Sequence, residues 1–345
     1  MSRNIGHSVG TGAAIFGTLG PHLDADQAAF FRDSDPFGFI LFARNIETPA
    51  QVARLCADLR ASVGRDAPIL IDQEGGRVQR LRGPYWREWA PPLDTVAAAG
   101  SNAPRAMYLR AQIIAAELRA LGIDANCAPV ADIAGPITHP FLRNRCYGTD
   151  AASVTQIARA VADGQLAMGV LPVVKHLPGH GRADGDTHLS LPRVTASMDD
   201  LIATDFAPFA ALRDLPMAMT AHIIFDALDP ARPATQSPAA IAAIRDTIGF
   251  QGLLMTDDLN MQALVGDLGQ RTALSMAAGC DLALHCKGDL AEMQMVAAAA
   301  GAMGQDTILR GQRALHLRSA APDIDIAARE AEFLALTQGR GRPVG

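Results

Sequence analysis

The chain has 345 residues, of which 49% are hydrophobic and 19% are charged, a balance typical of a globular protein with a substantial core. Its formal net charge of −6 argues against a nucleic-acid partner, because phosphate binding requires a basic surface. The sequence contains no run of about 18 apolar residues, and its apolar stretch at 9–20 is interrupted by glycines without a basic leader. We therefore expect neither export nor a membrane partner.

The cysteines indicate the cellular compartment. There are five of them, an odd number, and no two form a CxxC pair. They are Cys56, Cys127, Cys146, Cys280 and Cys286. Such a set does not suit a disulfide framework, which forms in oxidising compartments. We expect a reduced, cytoplasmic location.

Short apolar runs of strand type recur along the chain, with helix-forming stretches between them. There are eight such runs, at residues 12–18, 38–42, 68–71, 123–133, 170–174, 217–224, 252–255 and 281–285. The stretches between them include 105–121 and 153–168, which are rich in alanine and long enough for helices. Eight strands that alternate with helices predict an α/β fold, a single (β/α)8 TIM-like barrel.

The spacing between the predicted strands is irregular, so we expect irregular βα loops or extra helices in the ring. No low-complexity linker divides the chain, and such a barrel often exceeds about 250 residues as one domain. We therefore expect one catalytic barrel domain over residues 1–345, with its core at 10–336 and a flexible tail at 337–345. Residues 324–336 predict a last helix on the outside of the barrel.

Polar residues collect where four of the predicted strands end. Asp72 follows the third predicted strand, Lys175 and His176 the fifth and Asp257 the seventh, while His222 lies near the carboxyl end of the sixth. One strand-end Asp or His can simply cap a helix or bind a loop. The carboxyl ends of barrel strands, however, meet at one rim, where barrel enzymes place their chemistry. The four positions together predict an active site.

Three motifs together resemble glycoside hydrolase family 3, and more narrowly its bacterial β-N-acetylglucosaminidases. They are Asp-Gln-Glu-Gly-Gly-Arg-Val-Gln-Arg at 72–80, Lys-His-Leu-Pro-Gly-His-Gly at 175–181 with Asp-Thr-His at 186–188, and Thr-Asp-Asp-Leu-Asn-Met at 256–261. The resemblance implies a retaining exo-enzyme of cytosolic peptidoglycan recycling. Such an enzyme removes N-acetylglucosamine from 1,6-anhydro-N-acetylmuramic acid, with or without its peptide, through a covalent glycosyl-aspartate.

The resemblance also implies a role for each site residue. Asp257 matches the catalytic nucleophile, and His188, hydrogen-bonded to Asp186, matches the acid/base. The residues that match those holding the N-acetylglucosamine unit are Asp72, Arg80, Arg145, Lys175 and His176.

Elementary chemistry is consistent with these roles. Retaining glycosidases place a nucleophile on one face of the sugar and a proton donor at the leaving oxygen, usually two carboxyl groups. Here the donor is a histidine, whose unperturbed pKa of about 6.5 lets it serve as acid and then as base near neutrality. Asp186 would fix its tautomer and stabilise its protonated form.

Neighbouring side chains complicate two of the assignments. A strand alternates its faces, so we expect only one of Asp257 and Asp258 to point into the barrel mouth, and the resemblance selects Asp257. The Asp72 carboxylate suits two sugar hydroxyls, whereas Glu74 is expected to support Arg77 or the turn.

Other roles and functions stay open. His180 is expected to have a structural role in its loop, and His222 is a possible pocket-lining residue. One alternative is a metal-dependent hydrolase on the same barrel, with His176, His180 and His188 as ligands and Asp257 as base. Another is a family 3 β-glucosidase. For the leading hypothesis we expect no cofactor and no metal, a small-molecule glycan (muropeptide) as partner, and a monomer.

Overall fold

The structure is a computed structural model that describes residues 8–183, 191–319 and 322–338. Eight strands, all paired in parallel, close into a barrel in the order β1-β8-β7-β6-β5-β4-β3-β2. They are β1 (Gly12–Gly17), β2 (Pro36–Leu41), β3 (Ile69–Ile71), β4 (Ala125–Asn126), β5 (Leu171–Leu177), β6 (Met217–Thr220), β7 (Leu253–Asp258) and β8 (Leu282–His285). The predicted (β/α)8 barrel is confirmed.

Each predicted apolar run overlaps one barrel strand, but four carboxyl-terminal boundaries differ by three residues or more. The sixth strand ends at Thr220 rather than at 224, and the seventh continues to Asp258 rather than ending at 255. The fifth strand continues through Lys175 and His176, because its polar end is paired with β6 as far as Leu177. The fourth strand is only two residues long. Pro129 lacks the N–H that a ladder needs, and pairing with β5 resumes only as an isolated bridge between Val130 and Lys175.

Helices are arranged around the barrel, except for the short helix at 140–143, whose Phe141 lines a cavity at the carboxyl ends of the strands. The α-helices are α1 (Ala25–Ser34), α2 (Pro49–Val63), α3 (Pro92–Ala99), α4 (Ala103–Ala120), α5 (Pro140–Arg143), α6 (Ala151–Leu166), α7 (Met198–Ala203), α8 (Ala207–Ala211), α9 (Pro238–Ala242), α10 (Leu268–Ala278), α11 (Leu290–Ala300), α12 (Gln305–His316) and α13 (Ile326–Gln338). No helix in the described ranges is both long and apolar enough to cross a bilayer.

The helix ends follow from local sequence. Thr48 caps α2 by accepting the Gln51 N–H, and Gly64 ends it in the left-handed region. In α10, Asp267 and Gln270 form a reciprocal capping box.

The two long predicted helices, α4 and α6, pack closely against each other. A Cβ at Gly164 of α6 would lie 2.6 Å from the backbone oxygen of Tyr108 in α4, so glycine permits this approach. The predicted last helix is present as α13, where Phe333 packs edge-on against Trp89 with ring centroids 5.4 Å apart. The end of the chain after Gln338, including most of the predicted tail, lies outside the described residues.

The barrel interior is filled with apolar side chains rather than open. Leu70, Val173 and Met255 belong to the interior cluster, whereas their neighbours Ile71 and Val174 pack against the surrounding helices. This alternation places every second side chain of a strand on the barrel axis. The core therefore forms a floor beneath the residues that follow at the strand ends.

Candidate active site

Side chains at the carboxyl ends of the strands enclose a cavity at the barrel mouth. Six predicted site residues line it: Asp72, Arg80, Arg145, Lys175, His176 and Asp257. Three of them, Asp72, Lys175 and Asp257, each stand two positions after a residue of the interior cluster, which explains why they face the axis. The cavity floor is apolar and continuous with the barrel core.

Opposite charges alternate in a row that runs along one wall of this mouth and continues behind it. Arg80 Nη2 donates to Asp72 Oδ2 at 3.0 Å, and Lys175 Nζ donates to Asp72 Oδ1 at 2.8 Å. Lys175 Nζ also lies 2.6 Å from Glu74 Oε1. Arg145 completes the row by donating to both carboxylate oxygens of Glu74 at 2.9 Å. Such charge-assisted bonds hold planar groups in a fixed orientation.

The partner of Glu74 differs from the sequence-based expectation. Glu74 pairs with Arg145 and Lys175, and the Arg77 guanidinium carbon lies 3.4 Å from the centroid of the Phe141 ring. The expectation named Arg77 or the turn as what Glu74 supports, whereas the structure pairs its carboxylate with two cations that are distant in the sequence. Local proximity along the chain favoured Arg77, but the folded barrel brings a cation from 71 positions away to the carboxylate.

The paired charges keep both members of each pair ionised. Burial alone would raise the pKa of Asp72, but Lys175 and Arg80 outweigh that effect and hold this pKa well below its usual range. Burial would likewise lower the pKa of Lys175, but Asp72 and Glu74 raise it above its usual value. The mouth thus presents permanent charges and fixed hydrogen-bond donors to any ligand.

His176 is oriented by Asp132, a buried carboxylate outside the predicted set. His176 Nδ1 lies 2.7 Å from Asp132 Oδ2, and the backbone N–H of His180 donates to Asp132 Oδ1 at 2.7 Å. Burial opposes ionisation of Asp132, but His176 lowers its pKa, so the carboxylate accepts and Nδ1 donates. His176 Nε2 is then the nitrogen left for the mouth, 3.5 Å from Arg145 Nη2.

Asp257 and Asp258 make different contacts. Both residues line the cavity, so the expectation that only one of them faces the barrel mouth is not borne out. Asp258 Oδ1 accepts the backbone N–H groups of Asn260 and Cys286, both at 3.1 Å. Asp257 Oδ1 accepts the Asp258 N–H at 2.8 Å. Burial would raise the pKa of Asp257, but His176 and His222 lower it below its usual value. Burial raises the pKa of Asp258 to about 6.

Comparison with known proteins identifies the family. Residues 22–309 match the glycosyl hydrolase family 3 N terminal domain. The chain belongs to glycosyl hydrolase family 3. It is 37% identical over 278 residues to a "Beta-hexosaminidase" of Methylococcus capsulatus, covering 79% of this chain and 82% of the relative. It is 36% identical to a protein of the same name from Pseudomonas aeruginosa, covering 84% and 86%.

Solved structures of family 3 enzymes share this fold. Native NagZ from Neisseria gonorrhoeae superposes with a TM-score of 0.81 at 28% identity, covering 98% of this chain and all of that one. A family 3 β-N-acetylglucosaminidase from Paenibacillus superposes with a TM-score of 0.82 at 30% identity, covering 94% of this chain and 67% of that one. The protein is therefore a glycoside hydrolase with a TIM-like barrel.

His222 lies behind the mouth of this family 3 hydrolase and is not among the residues that line it. Its Nε2 lies 3.1 Å from the backbone oxygen of Asp258, and its Nδ1 lies 2.8 Å from Thr235 Oγ1. A carbonyl oxygen can only accept, so Nε2 carries the proton. The expected pocket-lining position is therefore corrected to a supporting position beneath the end of β7.

Two predicted family 3 residues, Asp186 and His188, lie outside the described residues. The alternative metal site would also need His188, together with His176 and His180, so it too lies partly outside the described residues. Within 8–183, 191–319 and 322–338, no three His, Cys, Asp or Glu side chains are placed to hold a metal ion.

Asp132 is the main site residue that the sequence analysis missed. The apolar run 123–133 was interpreted as a strand through its last residue, which hid the polar group within it. The structural strand ends at Asn126. Pro129 marks the place where strand pairing must break. Polar residues just after a strand end lie at the rim of a barrel, which is the rule that identified Asp72 and could have identified Asp132 as well.

Proposed function

We propose that this glycoside hydrolase is a retaining exo-β-N-acetylglucosaminidase with Asp257 as its nucleophile. The observation that carries the proposal is that one cavity holds both Asp257, whose pKa is lowered, and a set of charged side chains, both donors and acceptors, fixed by their ion pairs. Sugar hydroxyls need such donors and acceptors, and covalent catalysis needs a carboxylate at the anomeric carbon. The apolar floor closes the cavity from below, which suits the terminal sugar of a chain.

Each wall residue has a proposed contact with the sugar. Both Asp72 oxygens are already bound by cations, but a carboxylate offers about four acceptor sites, so hydroxyl groups can still donate to it. Lys175, Arg145 and His176 line the same cavity and offer further polar groups for the sugar. These groups are held by their neighbours before ligand arrives, which lowers the entropy lost on binding.

The reaction would proceed in two displacements at the anomeric carbon. In the first, Asp257 attacks the carbon from one face, and His188 donates a proton to the departing oxygen, so a glycosyl-aspartate ester forms. In the second, His188 takes a proton from water, and the water oxygen displaces Asp257 with net retention. The roles of His188 and of Asp186 as its partner rest on the motif at 186–188.

The sugar and its aglycone are also part of the proposal. The relatives are named beta-hexosaminidases, and one NagZ structure contains N-trifluoroacetyl-D-glucosamine, which supports an N-acylated sugar here. We propose muropeptide fragments as substrates, N-acetylglucosamine linked to 1,6-anhydro-N-acetylmuramic acid, cleaved by a monomer in the cytoplasm. The five free, buried cysteines suit that reducing compartment.

Sugar preference tests the proposal against a β-glucosidase. We expect kcat/KM for 4-nitrophenyl β-N-acetylglucosaminide to exceed that for the β-glucoside by about 10²-fold or more, because the site must pair with the acetamido group. Steady-state kinetics on both glycosides measure this ratio, and an Asp257→Ala variant shows that the activity belongs to this mouth. Equal values, or a preference for the glucoside, would contradict the proposed sugar.

A further inference from the structure

Glu74 lies behind the wall of the mouth rather than in it. Its side chain is 0% exposed, and it is not among the residues that line the cavity. Its two oxygens nevertheless bind both Arg145 and Lys175, at 2.9 Å and 2.6 Å. Both of those cations do line the mouth. Among the residues that the structure describes, Glu74 is therefore linked to the ligand cavity through the two groups that it pairs.

The backbone of Glu74 is held by a separate cation, the buried side chain of Arg110. Arg110, which is 1% exposed, donates from Nη2 to the Glu74 carbonyl oxygen at 2.8 Å and to the Ala90 carbonyl oxygen at 2.9 Å. The next residue, Gly75, has a φ of 103°, and a Cβ there would lie 1.7 Å from Arg110 Nη2. Glycine thus allows Arg110 to clamp the chain beside the carboxylate.

Without Glu74, the three cations of this row would be left with a single carboxylate in it. Asp72 alone would face Arg80 and Lys175, and Arg145 would lose the acceptor of both its ion-paired N–H groups. A buried guanidinium that loses its carboxylate must turn toward water or another acceptor. The orientation of Arg145 at the mouth, which it lines, would then change.

We propose that Glu74 is a positioning residue, which orients Arg145 and Lys175 toward the sugar without touching the sugar itself. This inference rests on the proposed function of the mouth as a sugar site. The Glu74 carboxylate holds two donors, Arg145 and Lys175, at once. Its loss therefore weakens two contacts to the same ligand. The effect therefore appears in ground-state sugar binding as well as in turnover.

The test compares Glu74→Gln with a matched variant at the opposite end of the barrel. Asp281 is also buried and also pairs with two cations, Arg245 at 2.7 Å and Arg310 at 2.8 Å, but it precedes β8 at the amino end. We expect Glu74→Gln to raise both KM for the aryl N-acetylglucosaminide and the inhibition constant of N-acetylglucosamine by about tenfold. Asp281→Asn should lower thermal stability and leave both constants unchanged.

Glu74→Asp serves as the second variant, since it retains the charge on a shorter side chain and should recover part of the lost sugar affinity. Unchanged KM and inhibition constants in folded Glu74→Gln, or equal shifts in Asp281→Asn, would overturn the positioning role. If Glu74→Gln does not fold, unaltered sugar affinity in Glu74→Asp would overturn it instead. An unaltered protein that neither cleaves the aryl N-acetylglucosaminide nor binds N-acetylglucosamine would overturn the proposed function, and this inference with it.

Discussion

Replacing Asp257 with alanine is expected to lower kcat/KM for aryl N-acetylglucosaminide by about 10⁴-fold or more, which corresponds to about 5–6 kcal/mol in the barrier. The variant removes the carboxylate that would bond to the anomeric carbon, and water cannot replace it in the same position. Steady-state kinetics on the purified variant measure the loss. Its circular dichroism and melting temperature should show that the barrel remains folded.

The neighbouring carboxylate provides the matched control for that variant. Asp258 accepts two backbone N–H groups through Oδ1, and an asparagine carbonyl oxygen can accept the same bonds. We expect Asp258→Asn to retain activity within about tenfold of the unaltered protein. A loss as large as that of Asp257→Ala would contradict the assignment of nucleophile.

Replacing His188 with alanine is expected to separate two classes of substrate. A sugar alkoxide cannot leave without a proton, so kcat/KM for a natural disaccharide should fall by about 10²–10⁴-fold. A nitrophenolate leaves unprotonated, so kcat/KM for the aryl glycoside should fall far less. Its kcat should still decrease, because the second step needs His188 as a base, and the intermediate should therefore accumulate and lower KM.

Parallel assays of the disaccharide and the aryl glycoside test this prediction. Both substrates are assayed on the same preparation of each variant, so a folding defect would lower the two rates equally. Asp186→Asn should change the rates on the two substrates in the same direction but less severely, because Asp186 is proposed only as the partner of the imidazole. Equal losses on both substrates would show that His188 does not protonate the leaving group.

The sequence predicted much of this site because its residues follow strand ends, where local patterns are informative. Asp72 and Asp257 could be placed because each directly follows an apolar run, and parallel strands bring such positions to one rim. Their exact direction follows from the alternation of strand side chains, which the structure shows for the interior residues two positions before them.

What the sequence could not provide was the network of contacts between distant residues. Glu74 meets Arg145 across 71 positions, and Asp132 meets His176 across 44. No local pattern pairs such residues, since their proximity depends on how neighbouring barrel strands align. His222 shows the same limit, because its place beneath β7 depends on a contact with the Asp258 backbone.

The central claim is that Asp257 forms a covalent bond to the sugar, and direct labelling tests it. A ring-fluorinated N-acetylglucosaminyl fluoride should leave a slowly hydrolysed ester on the enzyme, since fluorine slows both displacements while the fluoride leaving group still allows the first. Mass spectrometry of the intact protein should show the addition of one sugar, and peptide mapping should place it on Asp257. A label on Asp258, or continued turnover of this reagent with no sugar bound to the protein, would contradict the account.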